Sequence, residues 1–168
     1  MTRSLSAFVG VATCALVLGC ETPSAPKDIA ALGLRLAAWQ PDSGATLAHE
    51  YYSGDVGAQR TVVANAFTWA AVWAQVYGDN SSPPAVDFGT DRVLVAALGQ
   101  HATGGFDIRI DSIAQFEHGT VAYVTTVAPG SSCFTTAALT QPVHILRVPA
   151  DLAQDVMFED QVVVHECS

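Results

Sequence analysis

Along residues 86–113, VDFGTDRVLVAALGQHATGGFDIRIDSI, the spacing of apolar and polar positions changes in steps that predict separate elements. A short VDF segment leads into an unbroken apolar run at 93–98, and a glycine-containing loop at 99–105 feeds an alternating segment at 106–113. In that segment Phe106, Ile108 and Ile110 fall on one side, and Asp107, Arg109 and Asp111 on the other. Strand side chains alternate with period 2, so the pattern predicts a strand with one buried and one wetted face.

The flanking sequence extends this picture. Residues 32–39 and 47–53 read as strands around the turn-rich segment 40–45, which predicts a hairpin. A β-branched run at 61–64 ends at Asn65, a residue type that caps helices by accepting a first-turn N–H. The spacing then predicts a helix over 66–77, with Phe67, Ala70, Ala71 and Ala74 on one stripe and Trp69, Trp73, Val76 and Tyr77 broadening it. The tryptophan pair reads as helix-on-sheet packing rather than a ligand-stacking platform. Two prolines within 80–85 break regular structure. The turn at 117–119 lets 120–128 pair back on 108–116, and 129–132 form a second turn. Residues 143–148 and 161–166 read as the last strands, joined by a segment with a helical turn near 151–155. Strands dominate and one helix interrupts them. The expected fold is α+β, a mostly antiparallel sheet, curled or sandwich-like, with one main amphipathic helix packed on it.

The first residues carry a different signal. Arg3 precedes an apolar run at 7–18, short for a membrane span, so 1–19 read as a secretory signal. Val17-Leu18-Gly19-Cys20 resembles the lipobox of bacterial lipoproteins, which implies cleavage before Cys20 and acylation of its thiol, with palmitate-type chains. Ordinary cleavage beside an incidental cysteine is the alternative. Acyl chains add about 0.8 kcal/mol per buried methylene, enough together to anchor without a protein span. Residues 20–30 then form the lipidated cysteine and a flexible tether, and 31–168 a single globular domain. The expected location is outside the cytoplasm, lipid-anchored to a bacterial membrane, inner or outer.

A net charge of -9, from 7 basic against 16 acidic residues, argues against a nucleic-acid partner. The acids are scattered and lack a DxDxDG-type loop, so they read as a solvated surface and no metal site is assigned. Outside the leader and Cys20, Cys133 and Cys167 allow one intramolecular disulfide if the chain is exported, worth roughly 3–4 kcal/mol by loop closure. Two free buried thiols are the other reading.

The chain has no GxSxG, HExxH, GxGxxG or P-loop. Its five histidines, His49, His101, His118, His144 and His165, have no ligand-like spacing; His144 and His165 lie on strands that could converge, and read as structural. Asp107 and Asp111 are about 13 Å apart by strand rise, too far for a paired-carboxylate site. No catalytic residue and no cofactor is assigned, and the chain reads as not an enzyme. Candidate partner contacts are Thr103, Gly104, Gly105 and Phe106 in one loop, with Pro129 and Gly130 in another. Glycine lets a backbone approach a partner closely; turns that need positive φ explain the same glycines.

The ordered set of Trp69 and Trp73, Val86-Asp87-Phe88, the apolar strand, Gly99, Thr103-Gly104-Gly105-Phe106, Pro129-Gly130 and Thr140-Gln141-Pro142-Val143 resembles a known family. It is similar to the C-terminal domain of the protease complex subunit PrcB family, over roughly residues 60–149, with Phe106 where that family often has tyrosine. The resemblance implies a surface lipoprotein subunit that accompanies or stabilises an extracellular protease assembly without catalysing anything itself. Its partner would be a protein at the cell envelope, and the membrane would be met through the lipid alone. Two alternatives stay open: a protease inhibitor that inserts the same loops into a cleft, and a small hydrolase with a spatially assembled His/Asp/Ser set.

Overall fold

The computed structural model describes residues 29–167, so the leader, Cys20 and most of the tether lie outside the described residues. A 3-10 turn, Ile29–Leu32, is followed by β1 (Arg35–Trp39), β2 (Thr46–Glu50), β3 (Gln59–Val63), α1 (Ala66–Tyr77) and β4 (Asp91–Ala97). The chain continues through β5 (Asp107–Phe116), β6 (Gly119–Pro129), β7 (Val143–Pro149), a 3-10 turn at Ala150–Ala153 and β8 (Val156–His165). Two four-stranded sheets result: sheet A in the order β1-β5-β6-β8 and sheet B in the order β2-β7-β4-β3. Every strand pair is antiparallel except β6 with β8. The fold is α+β and mostly β, a sandwich with one helix on its outside.

The layers follow from the pattern. In β4, Val93, Val95 and Ala97 face α1, while Leu94 and Ala96 face sheet A. Their neighbours in β7 continue both surfaces, with Ile145 opposite Val95 and Leu146 opposite Leu94. Sheet B is therefore buried on both faces, which explains the unbroken apolar run. Ile108, Ile110, Ile113, Ala122 and Val124 form the sheet A half of the inter-sheet core. Each fully buried aliphatic side chain contributes about 1.5–3 kcal/mol relative to exposure.

α1 starts where the sequence predicts. Asn65 Oδ1 accepts the Thr68 N–H at 2.9 Å, and Gly78, at φ +83°, ends the helix with its N–H on the Ala74 carbonyl. The buried stripe, however, is Trp69, Val72, Trp73 and Val76, while Phe67 is 88% exposed. The large side chains at i, i+3, i+4 and i+7 remove more apolar area from water than the alanine stripe would, and they set the rotation. Both indoles are satisfied: Trp69 Nε1 donates to the Pro84 carbonyl and Trp73 Nε1 to Ser81 Oγ. The tryptophans pack edge to face, with centroids 5.2 Å apart.

The expected hairpin of the first two strands does not form. β1 pairs with β5 in sheet A and β2 with β7 in sheet B, so the turn between them changes sheets. The β5–β6 hairpin does form, closed from Phe116 to Gly119. β8 begins at Val156, ahead of the expected start, because its parallel register with β6 extends from Thr120 opposite Val156 to Pro129 opposite His165.

Candidate functional site

Two loops distant in sequence are joined at one end of the molecule. His101 and Thr140 exchange both backbone hydrogen bonds, Thr140 Oγ1 donates to the Thr103 carbonyl, and the Gly104 N–H donates to the Thr136 carbonyl. Gly104 is buried, and a Cβ there would meet Thr136 Oγ1 at 2.5 Å. Gly105 lies at φ +91°, and its Cβ would meet Pro129 Cβ at 3.0 Å. These glycines thus have a reason within the chain itself, namely the close approach of the two loops. Phe106 stacks on His101, with ring centroids 3.9 Å apart. Gly130 donates its N–H to the His165 carbonyl at 2.9 Å, which ties the second loop to the end of β8.

The disulfide Cys133–Cys167 forms, with Cα atoms 5.0 Å apart, and pins the same loop to the residues after β8. Around it lies a recess of about 320 Å³ lined by Tyr52, Gly105, Pro129, Phe134 and His165 among others. Phe134 is fully exposed and Tyr52 67% exposed. Phe134 therefore stands in solvent on a loop that the disulfide cross-links. Of the sequence candidates, Gly104, Gly105 and Pro129 line this recess, while Thr103, Phe106 and Gly130 lie in the same loops outside its lining, bonded to Thr140, stacked on His101 and bonded to His165 respectively. The structure adds Tyr52, whose place depends on a bridge to Gln141 that no local pattern announces.

A titratable cluster sits elsewhere. β1 stops at Trp39 opposite Ile113, which leaves the earlier part of β5 without a neighbour on that side. His144 fills part of the gap: its Nδ1 accepts the Ile110 N–H at 2.9 Å. An imidazole that accepts at Nδ1 carries its proton on Nε2. Burial, followed by the neighbouring His49, lowers the His144 pKa to about 4, so this ring is neutral near pH 7. His49, directly across the β2–β7 ladder, places Nε2 2.7 Å from Asp107 Oδ1. The Asp107 hydrogen bond raises the His49 pKa against the opposing effect of burial. Burial pushes Asp107 upward, but the His49 bond and charge, with the Ile108 N–H and Arg109, outweigh it and hold the carboxyl below its usual value.

His49, His144, Arg109 and Asp111 line a recess of about 360 Å³. Arg109 Nε donates to Asp111 Oδ1 at 2.6 Å, and Thr125 Oγ1 donates to Asp111 Oδ2. A hydrolytic set needs a serine bonded to the histidine that the carboxylate orients. Here His49 bonds Asp107, and among the described residues no serine bonds either histidine. His144 and His165 do not meet, since one lines this recess and the other the disulfide recess. The cluster fastens β2 and β7 of sheet B to β5 of sheet A. Among the described residues there is no group of three His, Cys, Asp or Glu placed to hold a metal ion, and no helix is long and apolar enough to cross a membrane.

Fold and site together describe a β-rich sandwich that presents a cross-linked, aromatic loop end. Residues 92–149 match the family model described as PrcB C-terminal, and the chain carries a PrcB C-terminal domain over that segment. The match covers β4 to β7 and both joined loops, and it leaves out α1 with its tryptophans, the VDF segment, β8 and Cys167. This family is not known to be catalytic. No curated protein and no solved structure matches the chain.

Proposed function

We propose that this chain is a non-enzymatic accessory or protein-binding module, held at a bacterial cell envelope by a lipid on Cys20. The partner class is a protein, with an extracellular protease first in line because the matched domain takes its name from a protease complex subunit. The observation that carries this reading is the loop end. Two distant loops and a disulfide converge to present Phe134 and Tyr52 to solvent beside a recess of about 320 Å³. An exposed aromatic ring beside a recess offers a partner apolar area to bury.

The test is recovery of the lipidated protein from solubilised envelopes, alongside Cys20→Ala and Phe134→Ala. The expected result is one reproducible protein partner. It should leave the envelope fraction with Cys20→Ala and be missing from the Phe134→Ala eluate. Recovery unchanged by Phe134→Ala would remove the loop end from the interface. A second reading, inhibition, draws on the same exposed ring on a cross-linked loop. Slowed cleavage by purified proteases at stoichiometric amounts of the chain would select it over a scaffolding role.

A further inference from the structure

Among the described residues four edge strands bound the sandwich, and three of them are blunted. β1, β2 and β3 have five residues each, and the registers of β1 and β2 shift at an irregularity. β8 has ten residues, contains no Lys, Pro or Gly, and holds one unbroken register along β6. Val162, Val163 and Val164 in it are 67%, 46% and 54% exposed. Edge strands this long, regular and apolar template the addition of another strand, and proteins ordinarily shorten, bulge or charge them.

The free side of β8 can be read from its paired side. The His165 carbonyl accepts the Gly130 N–H, so the polar backbone groups of His165 face β6. Backbone groups of one residue share a side and alternate along a strand, so those of Asp160, Val162 and Val164 face outward. Glu159 and Asp160 lie on one side of the valines and Glu166 on the other. Asp160 meets Arg60 of β3 at 2.7 Å, and that contact leaves Glu159 and Glu166 unneutralised among the described salt bridges.

We infer that the free edge of β8 takes an extended segment of a protein partner as an added strand, an apolar segment flanked by basic residues. Main-chain hydrogen bonds would supply affinity and the flanking charges specificity. A second copy fits worse, since it brings the same acids and the same net charge of -9. The edge also runs into the loop end, where His165 and Cys167 line the aromatic recess. This mode of recognition goes beyond the loop-end reading and stands without it.

The probe is a dye-labelled peptide of alternating valine and threonine with arginine at each end, titrated against the full chain by fluorescence anisotropy. Saturable binding is expected, with protection from hydrogen exchange gained at the Val162 and Val164 amides and not at Val163. Val162→Pro removes one outward N–H and leaves the β6 ladder intact, so binding should weaken about tenfold. Phe134→Ala should leave it unchanged, which separates this idea from the loop-end reading. The inference is overturned by an absence of saturable binding, or by binding without new protection at both amides. It is also overturned by equal binding of a peptide with glutamate ends, or by concentration-dependent protection of the edge in the protein alone, which would mean self-pairing. The exchange measurement decides even if the proline variant unfolds.

Discussion

Sheet B and sheet A have four strands each, yet they differ in what covers them. α1 closes one face of sheet B and sheet A closes the other, so Val93 to Ala97 are all fully buried. Sheet A has one wet face, where Arg109, Asp111, Tyr123, Thr125, Glu159 and Gln161 line a recess of about 550 Å³, and among the described residues no strand lies beside the outer edge of β8. The comparison teaches a division of labour. The chain itself covers both faces of the central strands of sheet B, and the surfaces proposed for recognition lie on the margin of sheet A and the loops beside it. Substitutions in the two regions should therefore separate folding from binding.

The largest effect is expected at Trp69, which is buried between α1 and sheet B and donates to the Pro84 carbonyl. Trp69→Ala should cost about 4 kcal/mol in urea unfolding, whereas Gln161→Ala, on the wet face, should change it by about 0.5 kcal/mol. Similar losses at both sites would dissolve the comparison.

The disulfide comes next. Cys133→Ser together with Cys167→Ser opens a link spanning 34 positions and should cost about 3–4 kcal/mol in the chain-entropy model. Hydrogen exchange should quicken first at the β8 end and leave the α1 amides near their original rates. If α1 loosened as much as β8, the bond would be supporting the whole domain rather than its margin.

Acid sharpens the comparison at the seam between the sheets. His144 falls from 6.5 to about 4 on folding. As pH drops below 6.5, the unfolded chain takes up that proton first, so stability declines until about pH 4, by about 3 kcal/mol in total. His49 runs the other way: its raised value gives stability present below its unfolded pKa of 6.5 and lost as pH rises through the folded value. Asp107, lowered from 3.8, gives stability present above that pH and lost as pH falls through its depressed value. His144→Asn keeps an acceptor for the Ile110 N–H and should flatten the decline between pH 6.5 and 4. An unchanged slope in denaturant titrations would assign the acid sensitivity to other groups.

Much of this division was legible in the residues, where local chemistry decides. Asn65 and Gly78 frame α1, and the alternation through Ile108 and Ile110 marks the face that enters the core, whereas Phe106 precedes β5 and stacks on His101 instead. The unbroken apolar run of β4 signals burial on both sides. Strand partners were less legible, because a period of 2 tells which face is buried and not which strand lies alongside. The turn at 40–45 therefore looked like a hairpin, although it links β1 and β2 in different sheets. His49, Asp107 and His144 meet through the β2–β7 register and the packing of β5 on β7, and no spacing in the chain encodes that. Phe134 lay within a loop that glycine singled out, but its full exposure depends on how the disulfide and Thr136 hold the turn.

The smallest effect on folding is expected at that ring, and it is the most informative. Phe134 is fully exposed, so Phe134→Ala removes no buried area and should move the unfolding free energy by about 0.5 kcal/mol or less. An aromatic anchor that enters a partner's pocket commonly accounts for about 2 kcal/mol or more of binding. A variant that melts like the parent yet loses its partner would place recognition at the loop end and stability elsewhere, as the uneven covering of the two sheets implies. If Phe134→Ala instead destabilised the domain, the ring would be packing against its own recess, with Tyr52 and the disulfide as its neighbours. The loop end would then belong to the core side of the comparison, and the open edge of β8 would be left as the surface to pursue.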